Sequence, residues 1–398
     1  MALLNINEQQ PVMKRFALFE LGFRPFFLLA GISAVVLMSL WLLMWSGWMQ
    51  RPLYYPDNWW HVHEMLLGYT SVVIVGFLLT ASRNWTGVQT LHGAWLAALS
   101  GLWVIARILP FTPASGIWIA VIDLLFLFFS GIAVAIPVLR VKQYKNMIFT
   151  PIVLGLWVAN LLMHLQLLDL ASDTAIIGQR MAIALIVVLI MVMGTRVIPF
   201  FIEMGTGLRG ATREYHAVEI AGTVVTSAWA FYYTLFGNDL FSGVAALVAA
   251  ILLTIRAAGW YLNALWKVPL LWILYLGFLW VPIGLLMHFM SVMGWTTSSY
   301  AIHALTSGAF GIITLGMMSR VILGHTGRDL KHSAALIVAF VFILVTPLFR
   351  LLPAIPAFAG NYYFMIHMAG GFWFLAFLVF VFRYASMLIK PRVDGRPG

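Results

Sequence analysis

The chain has no cysteine among its 398 residues. That excludes disulfides, thiolate metal ligands, iron–sulfur clusters and covalent c-type haem attachment. Charge is scarce as well. Only 9% of the residues are Asp, Glu, Lys or Arg, where a soluble domain carries about 25%. With 63% hydrophobic residues and a mean hydropathy of +0.97, the soluble classes are excluded. A cleavable leader is not expected: residues 1–15 are polar, and the first apolar run, 26–49, is too long for one. The formal net charge of +10 raises nucleic acid as a partner. The basic residues, however, are scattered in short loops, which fits membrane topology, and no nucleic-acid partner is expected.

What is present is apolar sequence in runs of spanning length, roughly 20 residues each. About twelve such helices are predicted, near 24–49, 59–82, 92–110, 116–139, 148–168, 178–199, 214–236, 241–262, 268–290, 299–322, 333–352 and 362–389. The fold class is therefore an all-α polytopic membrane bundle, one membrane domain over 1–398. With the N-terminus in the cytoplasm, only Arg51, Arg107, Arg180 and Arg350 fall on the outer side, and all other Lys and Arg fall inside. The positive-inside rule then places both termini in the cytoplasm.

Threading places six of the ten histidines near the outer face. They are His61, His63, His164, His288, His303 and His367, each within roughly 10 Å of the boundary by helix rise. Imidazole is the commonest metal ligand, and histidines converging from several helices are how bundles hold metals and haem. All six are candidate ligands. The others, His92, His216, His325 and His332, fall at the inner face, and His325 is roughly 30 Å from His303 by helix rise. His61 and His63, two residues apart on one helix, point about 200° apart, so they are expected to serve different centres. Asp57 or Asn58 is the expected N-cap of that helix. HEM at 63–65 is not the zinc motif H-E-x-x-H, since its second histidine is missing.

The second and tenth helices match. HEMLLGYTSVVIVG from His63 and HALTSGAFGIITLG from His303 share Gly at the fifth and thirteenth positions after the histidine. With partial matches elsewhere, including Met181 in the place of histidine, the spacing predicts three four-helix units near 20–140, 147–262 and 267–390, arranged as a pseudo-threefold ring. Intramembrane carboxylates are few, and they are costly unless functional. Glu64 and Asp123 are candidates to relay protons or to orient a ligand. Arg107 and Arg180 are candidates to pair with haem propionates, although snorkelling explains them equally. Trp59, Trp60 and Trp295 are expected in the interfacial belt, and most of the twenty methionines in packing. Arg24, Arg196 and Arg320 suit helix ends at the cytoplasmic leaflet.

The strings LGFRPFFLLAG at 21–31, WHVHEMLLG at 60–68, GFLLTASRNWTG at 76–87 and HALTSGAFGIITLGMMSRVILGHTGR at 303–328 resemble the NnrS family over essentially the whole chain. That resemblance implies a bacterial inner-membrane protein of about twelve helices, associated with haem and copper and with the response to nitric oxide and nitrosative stress. It implies that His61, His63 and His303 are functional. The layout is also similar to haem–copper oxidases and nitric oxide reductases, a likeness of arrangement only. The expected function is reductive removal of nitric oxide at a haem-containing, two-metal centre. The haem would be b-type, copper would accompany it, and a quinol or a cytochrome would donate electrons from within or beside the lipid. The rivals are a non-catalytic protein that binds nitric oxide, haem or copper, and a transporter, whose site would usually lie nearer the midplane.

Overall fold

A computed structural model describes residues 16–56, 58–331 and 333–396. Among these, eleven helices are long and apolar enough to cross a membrane, so this is a multi-pass membrane protein. They are α1 (Phe23–Trp45), α2 (Trp59–Thr86), α3 (Gly93–Phe111), α4 (Gly116–Arg140), α5 (Tyr144–Leu167), α6 (Thr174–Thr206), α8 (Leu240–Trp260), α9 (Pro269–Val292), α10 (Ser298–His325), α11 (Ala334–Ala354) and α12 (Tyr362–Ile389). The seventh expected span exists as a helix, α7 (His216–Phe236). It falls short because Glu219, Thr223, Thr226 and Thr234 dilute its apolar run. It packs between α6 and α8 like a member of the bundle.

Helices α2, α6 and α10 meet one another at the centre. Around them the contacts recur every four helices: α4 against α5, α8 against α9, and α12 back against α1. Burial follows from this. The most apolar stretches of α2 and α10 are 89% and 67% buried within the protein, against 33% for the peripheral α3. Glycines let the central backbones approach closely. A Cβ on Gly76 would meet Phe26 at 2.8 Å, and one on Gly316 would meet Ile273 at 2.9 Å.

The match between α2 and α10 extends to their backbones. Directly after His63, residues Glu64–Thr70 form a π-helical segment, and directly after His303, Ala304–Phe310 do the same. Such segments are rare and concentrate at functional sites. The wider turn leaves a carbonyl at Gly68 to which Trp103 Nε1 donates at 3.2 Å. Asn58 precedes α2 without a side-chain hydrogen bond to it, and Asp57, like His332, lies outside the described residues. Trp60 is not interfacial: it is 1% exposed and meets Phe111 edge-on. Trp295 is 66% exposed, and Trp59 is half-buried. At the opposite end of α10, His325 packs on Phe23.

Candidate metal and cofactor centres

The six histidines expected at the outer face share one end of the bundle but not one centre. They divide into two pairs and two isolated rings, and His61 and His63 fall on opposite sides of α2.

The first centre surrounds Asp123 on α4, which is 3% exposed. Asp123 Oδ2 lies 3.0 Å from His63 Nε2 and 3.1 Å from His164 Nε2, and it accepts from Asn160 Nδ2 at 2.6 Å. Arg107 Nη2 donates to Asp123 Oδ1, and Arg107 Nε is 3.2 Å from Glu64 Oε2. The far nitrogens of both histidines are also held. His63 Nδ1 faces Glu64 Oε1 at 3.0 Å and the Tyr55 hydroxyl at 3.2 Å, and His164 Nδ1 faces the Tyr54 hydroxyl at 2.8 Å. The two tyrosines come from the loop between α1 and α2. Burial, then the Asp123 charge, pushes both phenols up, so each keeps its proton.

Two chemistries suit this geometry. One ligand atom each from His63, Asp123 and His164 lies within 4.8 Å of the others, close enough for one metal ion, and each imidazole is oriented from behind, as metal-bound histidines are. Alternatively, a doubly protonated His63 donates from both nitrogens. The cluster then balances itself, Arg107 and His63 against Glu64 and Asp123, as buried charges require. In that state its formal charges cancel without an ion, while Glu64 Oε2 and Arg107 Nη1 stay without hydrogen bonds. Arg107 thus faces Glu64 and Asp123, with its Nη1 buried without a hydrogen-bond partner.

Gly68 makes room for this network. A Cβ there would sit 2.8 Å from Arg107 Nη1 and 2.9 Å from Glu64 Oε2. Gly68→Ala is expected to lower the thermal midpoint in detergent, at a cost of about 1–3 kcal/mol for overpacking. Gly101→Ala on α3, where a Cβ meets nothing within 4 Å, should leave the midpoint unchanged or raised. Equal midpoints for both variants would show that Gly68 is not required by the cluster.

The second centre lies across α2. His61 and His303 face each other with ring centres 6.4 Å apart and planes 11° from parallel. They line a cavity of about 290 Å³ together with Trp41, Met65, Ile302 and Arg350. Trp41 stacks on His61 at 4.3 Å. His303 Nδ1 donates to the Ser299 carbonyl at 2.7 Å, which leaves the Nε2 lone pair free. His61 Nδ1 is buried without a partner. Two imidazoles on one metal, each with a metal–nitrogen bond of about 2.0 Å, have centres roughly 6 Å apart, so this donor set fits a metal or a haem iron.

The remaining candidates stand apart. His288 is 4% exposed and meets the stacked pair Trp229 and Tyr233 edge-on, with Nε2 3.3 Å from Ser242 Oγ. His367 has both nitrogens engaged, with Ser46 Oγ at 2.9 Å and the Tyr363 carbonyl at 2.8 Å. Arg180 lies against Gly237 in the turn between α7 and α8, away from the cavity, to which its neighbour Gln179 contributes instead. Met181 packs near Gly155 on α5. Sequence reasoning missed Asn160, Tyr54, Tyr55 and Trp41. It counted Arg350 only for topology, although a lone arginine closing an apolar helix was a usable signal.

The fold and these centres define a polytopic membrane protein with histidine clusters built at one end of its helices. The chain belongs to the family described as NnrS protein, which it matches over residues 17–392. A search of curated proteins returned no match.

Proposed function

We propose that the protein handles nitric oxide in the bacterial inner membrane, with both termini cytoplasmic, and that it removes the gas by reduction at a haem- and copper-dependent centre in the His61/His303 cavity. Family membership supports a role in the nitric oxide response. The observation that carries the site is the facing pair His61 and His303, one with its lone pair aimed by Ser299 and the other with an orphaned buried nitrogen.

His61 and His303 hold the group, and Trp41 packs His61 into position. A group bound there would supply Lewis acidity and pass on electrons from a quinol or other donor, so that two nitric oxide molecules, two donor electrons and two protons would give nitrous oxide and water. Ile302, Ile366 and Trp45 exclude bulk water, while Asn58, Gln179 and Ser298 make a polar rim through which protons enter. Glu64 and Asp123 do not line this cavity. They act by fixing α2. A cavity of about 90 Å³ between α2, α6, α9 and α10, lined by apolar side chains apart from Thr70 and Thr314, meets the site at Thr70 and suits a weakly polar diatomic.

Purified protein in liposomes, given a reduced quinol or an artificial donor, is expected to consume nitric oxide and release nitrous oxide. His303→Ala should abolish turnover. Cofactor-replete protein that binds the gas but never turns it over, with any donor, would instead establish the binding-protein reading.

A further inference from the structure

Among the described residues, Arg350 is a buried cation with no anion to match it. It closes α11, is 9% exposed, and lines both the 290 Å³ cavity and the adjoining one of about 80 Å³ beside His61 and His303. Its Nη2 donates to Ser299 Oγ at 3.0 Å, and the rings of Tyr300 and Tyr362 flank it at 5.7 and 5.9 Å. Its Nη1 is buried with no hydrogen bond of normal geometry, the Tyr362 side chain standing beside the guanidinium. Among the described residues no carboxylate forms an ion pair with it, and none lines either cavity. The contrast with Arg107 is sharp, since that buried arginine, on the other side of α2, has two carboxylates.

A buried guanidinium without a counter-charge is costly, and breaking such pairs is among the most destabilising changes known. The C-terminal end of α11 contributes partial negative charge, but not a full unit. A guanidinium also presents donors in a fork that matches a planar anion in bidentate fashion. A guanidinium with one Nη lacking a hydrogen bond, in a side chain lining a cavity whose remaining polar groups are hydroxyls, amides, indoles and two imidazoles, is such a fork half engaged.

We infer that this cavity binds a planar monoanion, a carboxylate or an oxyanion of nitrite's size, on the Arg350 guanidinium beside His61 and His303. The anion neutralises Arg350 and stands next to whatever the two imidazoles hold. It has two chemical sources: a small anion entering past the polar rim, or a carboxylate carried on a bound haem. The inference uses the cavity proposed above but does not require nitric oxide to be the substrate. It therefore survives if no turnover is found.

The test titrates formate and nitrite separately into detergent-purified protein from haem-supplied and haem-starved cells, reading calorimetry and thermal midpoint. Haem-free wild type is expected to bind one equivalent saturably. Arg350→Gln should bind at least tenfold more weakly, and Arg350→Lys, which keeps the charge but loses the fork, should fall between. If haem-loaded protein also binds, the anion is a free one. If it refuses both anions, and its propionate infrared bands shift in Arg350→Gln, the carboxylate belongs to the haem. If Arg350→Gln does not fold, Arg350→Lys and Ser299→Ala carry the comparison. Wild type that binds neither anion and shows no band shift would overturn the inference. So would variants that bind as tightly as wild type.

Discussion

Asp123→Ala is expected to be the most damaging single substitution in the chain. Asp123 is the one acceptor shared by Arg107, Asn160, His63 and His164. Truncating it leaves Arg107 with only the imperfectly aligned Glu64 and removes a negative charge from a buried cluster. Breaking one partner of a buried ion pair costs about 3–5 kcal/mol, a large part of a typical stability of about 5–15 kcal/mol. The variant should accumulate poorly and lose its cooperative thermal transition in detergent. Asp123→Asn, which keeps the shape and some hydrogen bonds, should fall between it and wild type. A wild-type unfolding curve for Asp123→Ala would show that the cluster contributes little to the fold.

The second large effect separates the histidines. His61→Ala and His303→Ala should leave folded protein that has lost most of its haem or copper, read as the Soret band and as metal per chain. His63→Ala and His164→Ala should lower stability while each folded molecule keeps its Soret absorbance. The difference follows from their partners. His63 and His164 are bound into a hydrogen-bonded network, whereas the nitrogens of His61 and His303 that face the cavity have none. Equal cofactor loss in all four variants would mean a single centre and would refute the division. Metal lost from His164→Ala alone would place an ion on Asp123.

The helical plan was legible because membrane spans are set by composition and length, and those are local properties. The exception, α7, is informative: a helix packed between α6 and α8 tolerates Glu219 and threonines that spoil its hydropathy. That the histidines gather at one end of the helices was legible too, since helix rise and alternation alone give it. Their partners were not. Depth says nothing about azimuth, and it grouped six rings of which the fold brings together His63 with His164 and His61 with His303. The internal match set His63 beside His303, yet it is His61 that meets His303 across the cavity. The 200° divergence of His61 and His63 was readable because it depends only on helix geometry. The two buried arginines illustrate the limit. Arg107 and Arg350 look alike in sequence, each near the outer end of an apolar helix. Only the fold shows that one has two carboxylates beside it and the other, among the described residues, has none.

The π-helical segments after His63 and His303 have a further consequence for how the helices can be altered. Each acts as a phase shifter between two halves of one rod. Above it, the rod presents histidines to the centres; below it, the same rod presents Gly76 or Gly316 to its neighbours. A π turn holds more residues than an α turn, so relaxing Glu64–Thr70 to α-helix at its full length would turn one half by about 100° against the other. Either His61 and His63 would then leave their separate sides of α2, or Gly76 would leave Phe26. Removing one residue within the segment would let it become α-helical with the two halves close to their present phase. A one-residue deletion elsewhere in α2 has no such compensation and would be harsher than most substitutions, because it moves both centres at once.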